Sequence, residues 1–376
     1  MIPDDNIPGE REQFTPVRSP ASHNSSLRQA LQIGAAFALI KFAIQVAANL
    51  RAQHLGYGYE RDELYCLIWG RFLDWGYIDQ PPLATLPQET DGVTQAEPLI
   101  RNISDTALLA AVYRARETGR QDALFRDPFA RRLAGKRGDQ IADSIPFSNR
   151  NAWAWVTRTY MFDQFIAEQC QQGVDMVVNL AAGLDTRPYR MALPAKLQWV
   201  EVDLPGIVSY KEEILASEKP VCALERVRLD LSDTIARREL FAQLGHRAAK
   251  SLILSEGFII YFSTDQVRAL AEDLASPPTF QRWILDLASP GLLRLLQKGL
   301  NPSLSESGSL AQFGPEEGPE FFVPYGWKPV DVRSPLKTAA RLKRLSFGMR
   351  LLSLLPQSNG RQGSRPWSGI CLFAKL

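Results

Sequence analysis

Histidine and cysteine are scarce in this chain, with three histidines (His23, His54, His246) and four cysteines (Cys66, Cys170, Cys222, Cys371) among 376 residues. The histidines are scattered, which excludes a His-rich catalytic metal site. The cysteines form no CxxC pair, so neither a disulfide framework nor a thiolate metal cluster is indicated. A dominant charge is missing as well: 43 Lys plus Arg stand against 41 Asp plus Glu, a formal charge of +2. Nothing broad in that balance draws the chain to nucleic acid. A GxGxxG run and a Tyr-x-x-x-Lys pair are both absent, which argues against a nicotinamide dehydrogenase. The remainder is ordinary for a globular protein, with 45% apolar and 22% charged residues. The length allows one large domain with an appendage, or two modest domains.

Two parts differ in texture. Residues 1–27 are polar and proline-bearing and read as a disordered tail. The apolar run from Leu31 to Leu50 is about long enough to span a bilayer, but Gln32, Lys41, Gln45 and Asn49 interrupt it. It reads as a soluble or interfacial amphipathic helix, with a true span as the alternative, and leaves open a weak membrane association through residues 28–50. Residues 55–86 then carry an acidic DELY followed by WGYIDQPPL. Together with the preceding helix, this stretch resembles the N-terminal fragment of polyprenyl-phosphate-dependent membrane glycosyltransferases, in which the acid matching Asp62 would serve transfer. Residues 28–90 are therefore expected to be a helical appendage rather than an enzyme in themselves.

From about residue 95 the pattern becomes a single domain. Ser104 can cap TALLAAVYRARET, FARRLA follows Asp127-Pro128 and stops at Gly135, and WAWVTRTYMFDQFIAEQC is a third helix. Strands and helices then alternate. VDMVVNL, LQWVEVD, VCALERV, SLILSE and FQRWILDLA read as strands, and Ser263 with Gln266 forms a capping box for the helix after the fourth. This rhythm predicts an α/β fold with parallel strands joined by helical crossovers and helices on both faces. FFVPYGWKPVDV and WSGICLFAK have strand-like patterns. KTAARLKRLSFGMRLLSLL between them reads as one basic amphipathic helix, and residues 302–319 as a long loop.

The ligand end is the sharpest feature. VVNLAAGLDTRPYR places small residues and Gly183 directly after the first strand, with Asp185 beside them. An acid there is a poor neighbour for a pyrophosphate but acceptable beside a cofactor without phosphates. The second strand ends in Glu201-Val202-Asp203, where an acid can accept from a ribose diol. Asp230 and Leu231 follow the third strand, suited to an adenine amine and ring. Glu256 follows the fourth. Three successive strands ending in acids point to a cofactor with a ribose, an adenine and a positive centre, which S-adenosyl-L-methionine satisfies.

FRDPFARRLAG, RTYMFDQFI, NLAAGLDTRPYR, VEVDLPGIVSYKEEIL, LDLSD and SEGFIIYFS, in this order and spacing, resemble the leucine carboxyl methyltransferase family in its wider sense. The resemblance covers about residues 100–376. It implies a class I methyltransferase Rossmann-like sheet of seven mostly parallel strands, in the order 3-2-1-4-5-7-6 with the last strand antiparallel. It also implies that Arg158 holds the cofactor's carboxylate, and that Gly183, Asp203, Asp230, Leu231 and Glu256 complete the cofactor pocket. Glu201 is included in the expected set from its place on the second strand.

Methyl transfer from a sulfonium needs alignment rather than a metal. The matched segments hold no histidine base, which favours a small-molecule carboxylate or acidic hydroxyl as acceptor. Arg187 and Tyr261 are the candidates on the acceptor side. Arg187 has the alternative of bracing the turn through Asp185, and Tyr261 that of filling the helix–sheet interface. A non-catalytic, membrane-tethered scaffold and methylation of a protein C-terminal carboxylate are the other functional readings. The enzyme is expected in the cytoplasm, with no nucleic-acid partner.

Overall fold

The computed structural model describes residues 104–304, 311–354 and 366–376. The expected tail, the appendage of residues 28–90 with its glycosyltransferase resemblance, and the membrane contact through residues 28–50 lie outside the described residues. Among the described residues, no helix is long and apolar enough to cross a membrane.

Four helices open the described part: α1 (Ser104–Thr118), α2 (Ala130–Ser144), α3 (Pro146–Arg150) and α4 (Ala152–Gln171). The sheet strands are β1 (Met176–Leu180), β2 (Gln198–Asp203), β3 (Ala223–Arg228), β4 (Ser251–Ser255), β5 (Phe280–Ala288), β6 (Trp327–Arg333) and β7 (Ser368–Lys375). They lie in the order β3-β2-β1-β4-β5-β7-β6. The first five run parallel, and β7 is antiparallel to both β5 and β6. Strand order and direction agree with the sequence expectation.

The helices between the strands are α5 (Arg187–Arg190), α6 (Pro205–Ile214), α7 (Thr234–Gly245), α8 (Thr264–Ala275) and α9 (Pro290–Leu304), followed by α10 (Pro335–Arg341) and α11 (Phe347–Leu352). Strand alternation sends Met176, Val178 and Leu180 into one core with α7 and α8, where Trp283 packs edge-on against Phe322 and Trp327. Val177 faces the other way, into a core built with Met161, Phe162, Phe165 and Ile166 of α4. A third cluster joins α1 to α2, with Val112 against Leu133 and Ile141. The capping box at α8 forms as read: Ser263 Oγ accepts from the Gln266 N–H, and Gln266 Oε1 accepts from the Ser263 N–H.

Three local expectations are corrected. The helix beginning at FARRLA does not stop at Gly135 but bends there and continues to Ser144, because Ile141 and Ala142 still have a core to enter. FFVPY belongs to a 3-10 helix, Gly318–Tyr325, and the strand starts only at Trp327. The basic amphipathic helix is two short helices, α10 and α11, separated by Lys343 at φ 56°. The break lets Arg344 turn inward onto Glu117 and Asp122, each at 2.8 Å, so this arginine is not available to a lipid surface.

Candidate active site

At the carboxyl edge of β1 to β5, roofed by α1, α3 and α4, lies a cavity of about 490 Å³. Thr106, Ala107 and Ala110 of α1, Ser148 of α3, and Trp155 and Arg158 of α4 line it. Among the described residues, its charged lining is three arginines (Arg114, Arg158, Arg187) against five carboxylates (Asp185, Asp203, Asp230, Glu256, Asp286). Such a wall favours a ligand of net positive charge.

The loop after β1 makes the floor. Ala181 and Gly183 both sit at φ 50°. The Gly183 N–H donates to Asp203 Oδ2 at 2.6 Å, and the Leu204 N–H donates to Asp203 Oδ1 at 2.7 Å. Asp203 thus clips two backbone segments together at the cavity wall. Burial pushes its carboxyl above the usual range, although both N–H groups pull it down. A Cβ on Gly183 would stand 3.2 Å from the Cβ of Ala107, so the glycine serves both the backbone conformation and the approach of α1.

Asp230 and Leu231 lie beside this floor. Asp230 is exposed, with Oδ1 accepting from the Ser232 N–H at 2.9 Å, and Leu231 is buried against the core. On the far side, Arg158 reaches from α4 to Glu256 (Nε–Oε1 3.1 Å) and Asp286 (Nη1–Oδ2 3.3 Å). Its guanidinium also lies 4.9 Å from the ring centre of Trp155, which in turn stacks on Tyr113. Asp286 accepts from the Gly257 N–H at 2.6 Å. Gly257 is at φ 63°, and a Cβ there would come within 3.0 Å of Arg158 Nη1. Burial raises the carboxyl of Asp286, and Arg158 opposes the rise.

Six of the seven expected cofactor residues therefore meet on one cavity: Arg158, Gly183, Asp203, Asp230, Leu231 and Glu256. Glu201 does not. Its side chain is 2% exposed, with Lys211 on Oε1 at 2.8 Å and Arg226 on Oε2 at 2.9 Å. Alternation put it on the same side as Asp203, but it lies two residues deeper in the sheet, beneath α6. It is a buried structural carboxylate.

Arg187 is corrected as well. It borders the cavity, yet its side chain is 3% exposed and meets Asp163 (2.7 Å), Asp185 (2.9 Å) and Glu256 (2.8 Å). Fully engaged in this way, it cannot clamp an acceptor anion. It fixes the turn and orients Glu256. Burial alone would raise the carboxyl of Asp185, but Arg187, Lys211 and Arg190 outweigh it and hold Asp185 well below the usual range. Tyr261 does face the cavity, hydrogen-bonded with Thr106, and burial raises its hydroxyl pKa, which suits a donor better than a base.

Asp286 is the residue that sequence reasoning missed. It obeys the rule that found the others, an acid near the carboxyl end of a strand. Because Ser255 pairs with Leu285, Asp286 lies level with Glu256.

The model of the leucine carboxyl methyltransferase family matches residues 107–275. A protein of Streptomyces coelicolor that carries the name S-adenosyl-L-methionine-dependent methyltransferase is 31% identical over 268 residues, covering 69% of this chain and 92% of that protein. A like-named protein of Parafrankia is 32% identical over 259 residues, covering 64% and 82%. A solved structure from Thermobifida fusca, described as a methyltransferase, superposes with a TM-score of 0.48 at 16% identity, covering 74% of this chain and 96% of that one. By descent as well as by the fold and charge of its site, the chain belongs to the S-adenosyl-L-methionine-dependent methyltransferases and carries a domain of the leucine carboxyl methyltransferase type over residues 107–275.

Proposed function

We propose that the enzyme methylates an oxygen of a small molecule, a carboxylate or an acidic hydroxyl. The observation that carries this reading is the absence of a lysine or histidine among the described residues lining the cavity, together with three arginines already paired to carboxylates. Neither a lysine nor a histidine base is thus at hand, and an acceptor that ionises by itself has no need of one.

The cavity suits the cofactor by its chemistry. Arg158 offers a planar fork to a carboxylate, and Glu256 and Asp286 offer negative charge to an ammonium. Asp203 keeps lone pairs for a ribose diol, while Asp230 and Leu231 flank the place of the adenine. When bound, S-adenosyl-L-methionine supplies a methyl group on a positively charged sulfur, open to in-line displacement. The residues of the chain hold and align. Arg158 is fixed from three sides by Glu256, Asp286 and Trp155, so it enters binding with little freedom left to lose. Arg187 keeps Glu256 aimed, and Tyr261 presents a hydroxyl donor across the cavity. Alignment of this kind accounts for several kcal/mol of a displacement barrier.

We further assign this activity to a domain of residues 95–376, with residues 28–90 as an appendage. A labelled-methyl transfer assay tests the chemistry: product label released by mild alkali marks an ester, alkali-stable label located on oxygen by NMR marks an ether, and label on nitrogen or carbon refutes the reading.

A further inference from the structure

Beyond the cofactor residues, the cavity continues between β4, β5, β7 and α9. There its wall is made by Ile260, Phe262, Leu287, Leu292, Leu296 and Ile370. Leu292 and Leu296 are one turn apart and share a face of α9. This wall is tied in place. The Ile260 carbonyl accepts from the N–H groups of Gln312 (2.7 Å) and Phe313 (3.0 Å), and Gln297 Nε2 donates to the Ala311 carbonyl at 2.7 Å. The start of β7 is locked to the end of β5 by Ser289, whose N–H donates to the Trp367 carbonyl (2.9 Å) and whose Oγ accepts from the Trp367 N–H (2.9 Å). Phe262 is wedged edge-on against Phe258 at 4.7 Å.

We propose that this region is the acceptor subsite, and that it takes a monoanion with an apolar body, a fatty or aryl acid, and rejects dianions. The proposal rests on the O-methylation reading above and narrows its substrate. Among the described residues, the cations lining the cavity come from α1, α4 and α5, and each is already in an ion pair. A second charge on the acceptor would lie against leucine and isoleucine side chains, losing its hydration with no partner in return. The single reactive oxygen meets only neutral donors and the positive charge that arrives with the cofactor. An alkyl or aryl body gains from every apolar surface it covers.

The test is calorimetry at pH 8 on the full-length protein saturated with sinefungin, an analogue of S-adenosyl-L-methionine whose amine keeps a positive charge at the methyl position, titrated with decanoate, 1-naphthoate and glutarate. At least one of the two monoanions is expected to bind, with glutarate at least tenfold weaker than the better monoanion. Leu292→Asn is expected to weaken the better monoanion at least fivefold and Leu292→Met to leave it within twofold, with S-adenosylhomocysteine affinity unchanged in both as the check on folding. Glutarate binding as tightly as the better monoanion, or no binding by either monoanion, overturns the proposal. If a monoanion binds as expected but labelled methyl reaches no oxygen, the subsite stands and the O-methylation reading falls.

Discussion

The backbone N–H of Gly183 donates to Oδ2 of Asp203 at 2.6 Å, joining the loop after β1 to the end of β2 across twenty residues of sequence. The same carboxylate that is placed for a ribose also holds the loop over which the cofactor must pass. Floor and anchor are one unit, so damage to either should reach both.

Gly183→Val should weaken S-adenosylhomocysteine binding at least tenfold. The residue is at φ 50°, where a β-branched side chain is strained by about 1–2 kcal/mol, and the added carbon meets Ala107. Calorimetry measures the loss, and a thermal melt separates it from unfolding.

Arg158→Ala should lower cofactor affinity by about 2–5 kcal/mol. It leaves Glu256 with Arg187 alone and Asp286 without its cationic partner. Unchanged affinity would remove Arg158 from the pocket.

Asp286→Asn is a gentler probe. The amide oxygen can still accept from the Gly257 N–H, so the β4 turn is kept while the negative charge is lost. Cofactor affinity should fall by about 1.5–3 kcal/mol, the range for hydrogen bonds to charged groups. An effect on melting temperature alone, with affinity intact, would make Asp286 purely structural.

Asp185 gives a pH prediction. Its folded-state pKa is depressed, so the stability it contributes is present above the ordinary carboxylate pKa of about 3.9 and is lost as pH falls toward the lower folded value. Asp185→Asn should cost about 3–5 kcal/mol at pH 7, the range for breaking a buried pair. The gap between the two proteins in urea unfolding should narrow as pH is lowered from 5 to 3. A gap independent of pH would mean that the charge of Asp185 does not matter.

Removing residues 1–90 should leave S-adenosylhomocysteine affinity within about threefold, a change under about 0.7 kcal/mol. Among the described residues, those that line the cavity fall between Thr106 and Ile370. Loss of binding would show that the appendage completes the domain.

Much of this molecule is local in origin. The alternation of short apolar runs with capped helices sets strands and crossovers, and the family resemblance supplies their order. The Ser263–Gln266 box needs only four residues to be read. Gly183, Asp203, Asp230 and Glu256 were legible because each follows or ends a strand, and parallel strands bring such ends to one edge. The sequence could not say which charges are left over once the chain closes. Glu201 and Asp203 lie on the same side of β2, and only the arrival of Lys211 from α6 and Arg226 from β3 takes Glu201 out of the site. Arg187 read as a candidate for an anion until Asp163, Asp185 and Glu256 converged on it. Asp286 gained its place from the register that sets β5 against β4. A buried charge is kept by whichever opposite charges surround it, and those come from distant parts of the chain. Local pattern therefore determined the scaffold and the edge where the ligand sits, while tertiary packing decided which ionic groups face it.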